Sequence, residues 1–177
     1  MDIILQTPRL YLRRFTTADT KLVFQLNSDE TVLKYLHEEL LRDEAHALEI
    51  LQKIILPQYD NNLGRWAVHL KENDEFIGWC GLKYRPEINE TDLGYRFKQS
   101  VWGNGYASEA AAHALNYAFS KLKLTEVTGR AHIENLASLA ILEKIGMTYV
   151  CDEIVDDCPV KTFIARKESY KPVIELL

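Results

Sequence analysis

Three runs, RWAVHL (Arg65 to Leu70), FIGWCGLKY (Phe76 to Tyr84) and TDLGYRF (Thr91 to Phe97), follow one another in the middle of the chain. The polar turn Lys71 to Glu75 and a loop around Pro86-Glu87-Ile88-Asn89 join them. Connections this short favour an antiparallel meander, because a parallel return needs a long crossover. After Phe97 the pattern changes to a glycine-bearing loop, a helix over 107–121, a strand from Glu126 to Ile133, a helix over 136–145, and strands near Thr148 to Asp152 and Lys161 to Ala165. Ahead of the meander, Arg9 to Phe15 alternates Leu10, Leu12 and Arg14 against Arg9, Tyr11 and Arg13, the period of a first strand. Thr16-Thr17-Ala18-Asp19 offers caps for a helix through Leu22, Val23 and Leu26. Residues 29–57 read as a helical region with internal breaks, closed by Pro57. The order implies an α/β fold with a mixed, largely antiparallel central sheet, helices on both faces and a right-handed strand–helix–strand crossover.

A length of 177 residues, with no linker or internal repeat, suits one domain spanning 1–177. No apolar stretch approaches the roughly 18 residues of a membrane span. MDIILQTPRL has an early acidic residue and no basic n-region, so a cytoplasmic protein without a secretory signal is expected. The cysteines Cys80, Cys151 and Cys158 are odd in number and lack C-x-x-C spacing, which speaks against disulfides and zinc. His37-Glu38-Glu39 lacks the second histidine of a zincin helix, and no metal is expected. A formal net charge of −5 disfavours nucleic-acid binding, which needs a basic surface, and suits a cationic partner or simple solubility.

The loop SVWGNGYASEA (100–110) runs straight into an alanine-rich helix. Gly103 and Gly105 fit a tight turn that needs positive φ. They equally fit a ligand loop, since Ala107, Ala110, Ala111, Ala114, Leu115 and Ala118 form a small-residue stripe that lets the helix sit close to a sheet. The helix N-terminus would then aim free N–H groups at an anion. No Gly-Lys-Ser/Thr follows Gly105, and Ser108 stands where a dinucleotide fingerprint needs its third glycine. Further on, Asn135 is a good N-cap, Leu139, Leu142 and Ile145 make an inward stripe, and Gly146 ends the helix. Ser138 on this reading is a small residue near the helix start.

Four stretches together carry a family resemblance over most of the chain. Thr7-Pro8-Arg9-Leu10-Tyr11-Leu12-Arg13 resembles an opening T-x-R-L-x-L-R, and Leu93-Gly94-Tyr95 a fourth-strand I-G-Y. Trp102-Gly103-Asn104-Gly105-Tyr106-Ala107 sits on a pyrophosphate loop Q/R-x-x-G-x-G/A, with Trp102 departing from the Gln/Arg. Asn135-Leu136-Ala137-Ser138 and Glu143-Lys144-Ile145-Gly146-Met147 resemble N-x-x-S followed by E-K-x-G-F. The ordered set resembles the GNAT acetyltransferases, and within them the RimJ/RimL branch of N-terminal acetyltransferases.

The resemblance implies a GNAT-like acyl-CoA N-acyltransferase fold and an enzyme that moves the acetyl group of acetyl-CoA to a primary amine by direct transfer. The backbone of Trp102, Gly103, Asn104, Gly105, Tyr106 and Ala107 would hold the pyrophosphate. Tyr95, Arg96 and Phe97 would offer backbone groups to the pantetheine arm as an added strand would. Asn135 would touch the cofactor and Ser138 would protonate the leaving thiolate. A backbone N–H on the Tyr95 strand would steady the oxyanion. The branch places a glutamate just past its G-F pair; Val150 aligns there, Asp152 lies two residues on, and Asp92 and Glu134 are further acidic residues, so no base is assigned. The acceptor implied is a protein or peptide N-terminal α-amine, such as that of a ribosomal or other basic protein. A polyamine or aminoglycoside acceptor, and a non-catalytic acyl-CoA-binding regulatory module, are the alternatives, and a homodimer is left open. The acceptor pocket would be built by the helices of residues 18–57 and the segment 150–160.

Overall fold

The computed structural model, which describes residues 2–36 and 38–173, folds the alternating segments into one eight-stranded sheet. The strands are β1 (Ile3–Gln6), β2 (Leu10–Arg14), β3 (Gly64–Leu70), β4 (Phe76–Arg85), β5 (Glu90–Phe97), β6 (Glu126–His132), β7 (Thr148–Val155) and β8 (Cys158–Arg166). Their spatial order is β1-β2-β3-β4-β5-β6-β8-β7. Every neighbouring pair is antiparallel except β5 and β6. The expected mixed, largely antiparallel sheet is therefore observed. Among the described residues no helix is long and apolar enough to cross a membrane.

Period-two alternation sends neighbouring residues of one strand to opposite faces. Trp66 and Val68 of β3 join the core under α4 (Tyr106–Ser120) and α5 (Leu136–Lys144), while Ala67 joins the core under α1 (Thr20–Asn27) and α3 (Glu44–Ile50). The alanine stripe does what its small volume allows. Ala110, Ala111, Ala114, Leu115 and Ala118 have no exposed surface, and each buried methyl contributes about 0.8 kcal/mol.

Two expectations are corrected. β1 precedes the strand at Arg9 to Phe15: Ile3 and Leu5 pair with Arg13 and Leu12 across a bulge. The helical region beyond residue 29 has the internal breaks expected of it, but its end differs. It comprises α2 (Glu30–Leu33), α3, a π turn at Leu51–Ile55 and a 3-10 turn at Leu56–Asn61. Pro57 opens that last turn instead of closing the region, since the first turn of a helix does not use the N–H that proline lacks. His37 lies outside the described residues.

The seam between β5 and β6 matters most. Its parallel pairing covers only Asp92↔Thr128 and Leu93↔Gly129. Beyond that point β5 has no strand partner on its β6 side among the described residues. Arg130 ties the closed end, donating to Asp92 and to Glu90 (2.5 Å) on β5 and to Glu153 (3.2 Å) on β7.

Candidate functional site

A cleft of about 960 Å³ passes through the open end of this seam, lined on one side by the glycine loop and α4 and on the other by α2 and the face of β3, β4 and β5. Lys98 N–H bonds Ile77 O on β4. By alternation the peptide groups of Tyr95 and Phe97 then point the other way, into the gap. Trp102 Nε1 donates to Phe97 O at 2.9 Å. Among the described residues the N–H and C=O of Tyr95 and the N–H of Phe97 find no partner and form an unpaired strand edge. Arg96, in register with Trp79, turns its peptide groups toward β4, so only its side chain enters the cleft.

At the head of α4, Gly103 and Gly105 both have φ +80°, as a turn requires. Packing does not demand glycine at either: an added Cβ would meet nothing within 4 Å at Gly103 and only Arg9 Nη2 at 3.5 Å at Gly105. Asp29, Asp43 and Asn135 cap α2, α3 and α5 with their side chains, but α4 has no side-chain cap. Its first intrahelical bond is Glu109 N–H to Gly105 O, which leaves the N–H groups of Tyr106, Ala107 and Ser108 open. Trp102, Gly103, Gly105, Tyr106 and Ala107 line the cleft. Asn104 does not; its Nδ2 folds back onto Val101 O (3.1 Å) and Trp102 O (3.3 Å).

The opening T-x-R segment braces this loop. Glu109, buried in the first turn of α4, accepts from Thr7 Oγ1, from Arg9 N (2.9 Å) and from Arg9 Nε (2.6 Å). Arg9 Nη1 reaches Asn104 O at 3.0 Å, and its guanidinium lies 4.5 Å over the Tyr106 ring. Burial pushes the Glu109 carboxyl up, but the bonds from Thr7 and Arg9 outweigh it and hold it below the usual range.

Across the gap, Asn135 Oδ1 accepts from Ser138 N at 3.2 Å, the capping role, while both residues also line the cleft. The Tyr95 hydroxyl spans the seam and donates to Ser138 O at 3.1 Å. Burial pushes that phenol well above its ordinary pKa, so it stays a fixed, protonated strut. Tyr95, Asn135, Ser138 and the glycine loop thus surround one space.

None of the acidic residues is an evident base. Asp92 accepts from Thr128 and Arg130 and lies 3.6 Å from Arg85. Val150 is exposed on β7 and Asp152 pairs with Lys161 at 3.7 Å; neither lines the cleft, whereas Val155, Asp156, Cys158 and Val160 of the same segment do. Glu134 lines the cleft without an ion pair among the described residues. His132 also lines it, with Nδ1 accepting from Glu134 N–H at 3.1 Å. Sequence reasoning missed His132, and it missed the wall formed by Tyr35, Glu38, Arg65, Trp79 and the Arg96 side chain. The signal for that wall is the register row Arg65↔Gly81↔Gly94, invisible until the strands pair. No group of three or more metal-binding side chains occurs among the described residues.

Residues 9–148 match the family described as "Acetyltransferase (GNAT) domain". A Bacillus licheniformis protein described as "Uncharacterized N-acetyltransferase p20" is 31% identical over 143 residues, 80% of each chain. The solved structure of RimL, the ribosomal L7/L12 alpha-N-protein acetyltransferase, in complex with coenzyme A superposes with a TM-score of 0.80 at 15% identity, covering 93% of this chain and 98% of that one. Spermidine N-acetyltransferase from Vibrio cholerae, in complex with CoA and spermine, has a TM-score of 0.77 at 20% identity, covering 91% and 97%. At those identities the two structures establish the fold.

Proposed function

This chain belongs to the GNAT acetyltransferase family, and from that premise we propose that it acetylates the N-terminal α-amine of a peptide or protein, using acetyl-CoA in a ternary complex. The observation that carries the reading is the half-open β5–β6 seam: an unpaired Tyr95 edge, an uncapped α4 N-terminus and Ser138 facing one space. The residues fit the donor. Trp102, Gly103, Asn104, Gly105, Tyr106 and Ala107 form the backbone turn that would receive the pyrophosphate. Tyr95 and Phe97 would pair with the pantetheine amides, and Asn135 would contact the arm through the Nδ2 that its cap leaves free.

Bound acetyl-CoA supplies the thioester carbonyl and its thiolate leaving group. Transfer forms a C–N bond and breaks the C–S bond; the amine loses one proton and the thiolate gains one. Tyr95 N–H would meet the charge that builds on the carbonyl oxygen. The Ser138 hydroxyl delivers the thiolate's proton. An α-amine of pKa about 8 is roughly 10% neutral at pH 7, whereas a lysine-like amine near 10.4 is under about 0.1% neutral. With Asp92 held by arginines, the less basic acceptor asks less of the site. The opening T-x-R-L-x-L-R and the likeness to RimL support the RimJ/RimL branch. The likeness to the V. cholerae enzyme makes a polyamine the second reading.

Thiol release from acetyl-CoA separates them. Short peptides with free N-termini should turn over, and the same peptides blocked there should not. A preference for spermidine, or activity that survives blocking, would overturn the α-amine reading.

A further inference from the structure

Four arginines line the cleft: Arg65, Arg85, Arg96 and Arg130. Three are matched by carboxylates. Arg85 faces Glu87, Asp92 and Asp156; Arg96 faces Glu38 at 2.9 Å; Arg130 faces Glu90, Asp92 and Glu153. Arg65 is the exception. Among the described residues it forms no ion pair and its guanidinium makes no hydrogen bond; it lies 4.8 Å over the Trp79 ring, whose other close cation is Arg96 at 5.6 Å. Lys83, the other cleft cation without a carboxylate among the described residues, is exposed and solvated. Arg65 is half-buried, and burial followed by repulsion from Arg96 pushes its pKa down against a weaker pull from Glu38, which bonds Arg96 instead. A guanidinium has five donors, and taking such a charge from water without a partner is costly.

We propose that Arg65 receives a carboxylate of the acceptor, so that the acceptor is an α-amine carrying a carboxylate nearby and not a polycation. The register supports the reach. Arg65 pairs with Gly81 and Gly81 with Gly94; the Trp79 ring lies over Gly94, so an acceptor reaching Arg65 from the β5 edge would pass across that indole. Two strand spacings are about 10 Å, the length of about three extended residues. Among the described residues Glu38, Asp92 and Asp156 are each engaged by an arginine and Glu134 alone of the lining carboxylates has no ion pair, so the wall holds no row of free carboxylates for a polyamine. This assignment rests on the acetyltransferase reading of the same cleft.

The test compares kcat/KM for peptides bearing Asp or Glu within the first three residues with the matched Asn or Gln peptides, with free glutamate and glutamine, and with spermidine. A charge-assisted hydrogen bond of about 1.5–3 kcal/mol corresponds to a preference of roughly 10- to 100-fold for the carboxylate. In Arg65→Gln that ratio should fall toward one, mainly through KM, with CoA affinity by calorimetry unchanged and thermal stability equal or higher; Arg65→Lys should keep part of it. The free amino acid against the peptide distinguishes the two sources of such an acceptor. Equal turnover of acid and amide, or a ratio that survives Arg65→Gln, would overturn the proposal alone; a spermidine preference would overturn it together with the α-amine reading. No acetyl-CoA-dependent turnover with any amine would overturn the acetyltransferase reading and this one with it.

Discussion

Ser138 is held by two bonds that have nothing to do with its own hydroxyl: its N–H goes to Asn135 and its carbonyl to Tyr95. Those bonds fix where the side chain stands, so Ser138→Ala removes an oxygen without moving the backbone. Loss of a general acid should lower kcat by about 10²-fold or more while leaving acetyl-CoA affinity within a factor of about two. An unchanged kcat in steady-state assays would make Ser138 a helix residue only. Gly105 is the matching test for binding. Valine there would have to adopt φ near +80°, strained for a β-branched residue, so the turn that presents the open α4 amides would be distorted. Calorimetric titration should show no CoA binding by Gly105→Val. Asn104→Ala should bind nearly as the parent does, since that side chain turns back onto its own loop. Normal binding by the valine variant would refute the loop assignment.

The seam of β5 and β6 is an element-scale device, closed at one end by Arg130 and open at the other. Arg130 faces three carboxylates while its own side chain is only 11% exposed. Arg130→Met should therefore cost about 3 kcal/mol, the penalty for leaving partly buried charges unpaired. The loss is read from the urea midpoint at pH 7; a midpoint equal to the parent's would contradict it. Elements of this kind differ in how far the sequence reveals them. The meander, the alanine stripe and the glycine loop were legible because their signals are local and periodic. β1 was not, since four residues ahead of Pro8 become a strand only by pairing with β2. The acceptor wall was least legible, because Arg65, Trp79 and Arg96 meet through strand register and Glu38 arrives from a loop with no motif of its own.

At the scale of the whole molecule, acid sensitivity follows from groups far apart in the chain. Burial pushes the His69 and His113 imidazoles below their usual pKa; His69 Nδ1 sits 3.0 Å from Asp74 O and its Nε2 is buried without a partner. The unfolded chain binds protons at these sites below about pH 6.5, before the folded chain does, so stability falls as pH drops below that value. Asp19 and Glu109 are pushed up by burial but held lower still by Arg13 and Thr16 and by Thr7 and Arg9, and Glu153 is held low by Thr162 and then Arg130. Their depressed values contribute stability above about pH 4.3 that is lost as pH falls further. Thermal melts should thus decline in two stages, and His69→Phe should flatten the first; a melting temperature constant from pH 7 to 5 would contradict this. The most direct measurement on the central claim, that the backbone of the seam and of the α4 N-terminus holds the acetyl donor, is site-resolved amide hydrogen exchange with and without CoA. Exchange at Tyr95, Phe97, Tyr106, Ala107 and Ser108 should slow by about tenfold or more on binding while β1 and the β7–β8 hairpin stay unchanged. CoA binding that leaves those five amides as they were would contradict it.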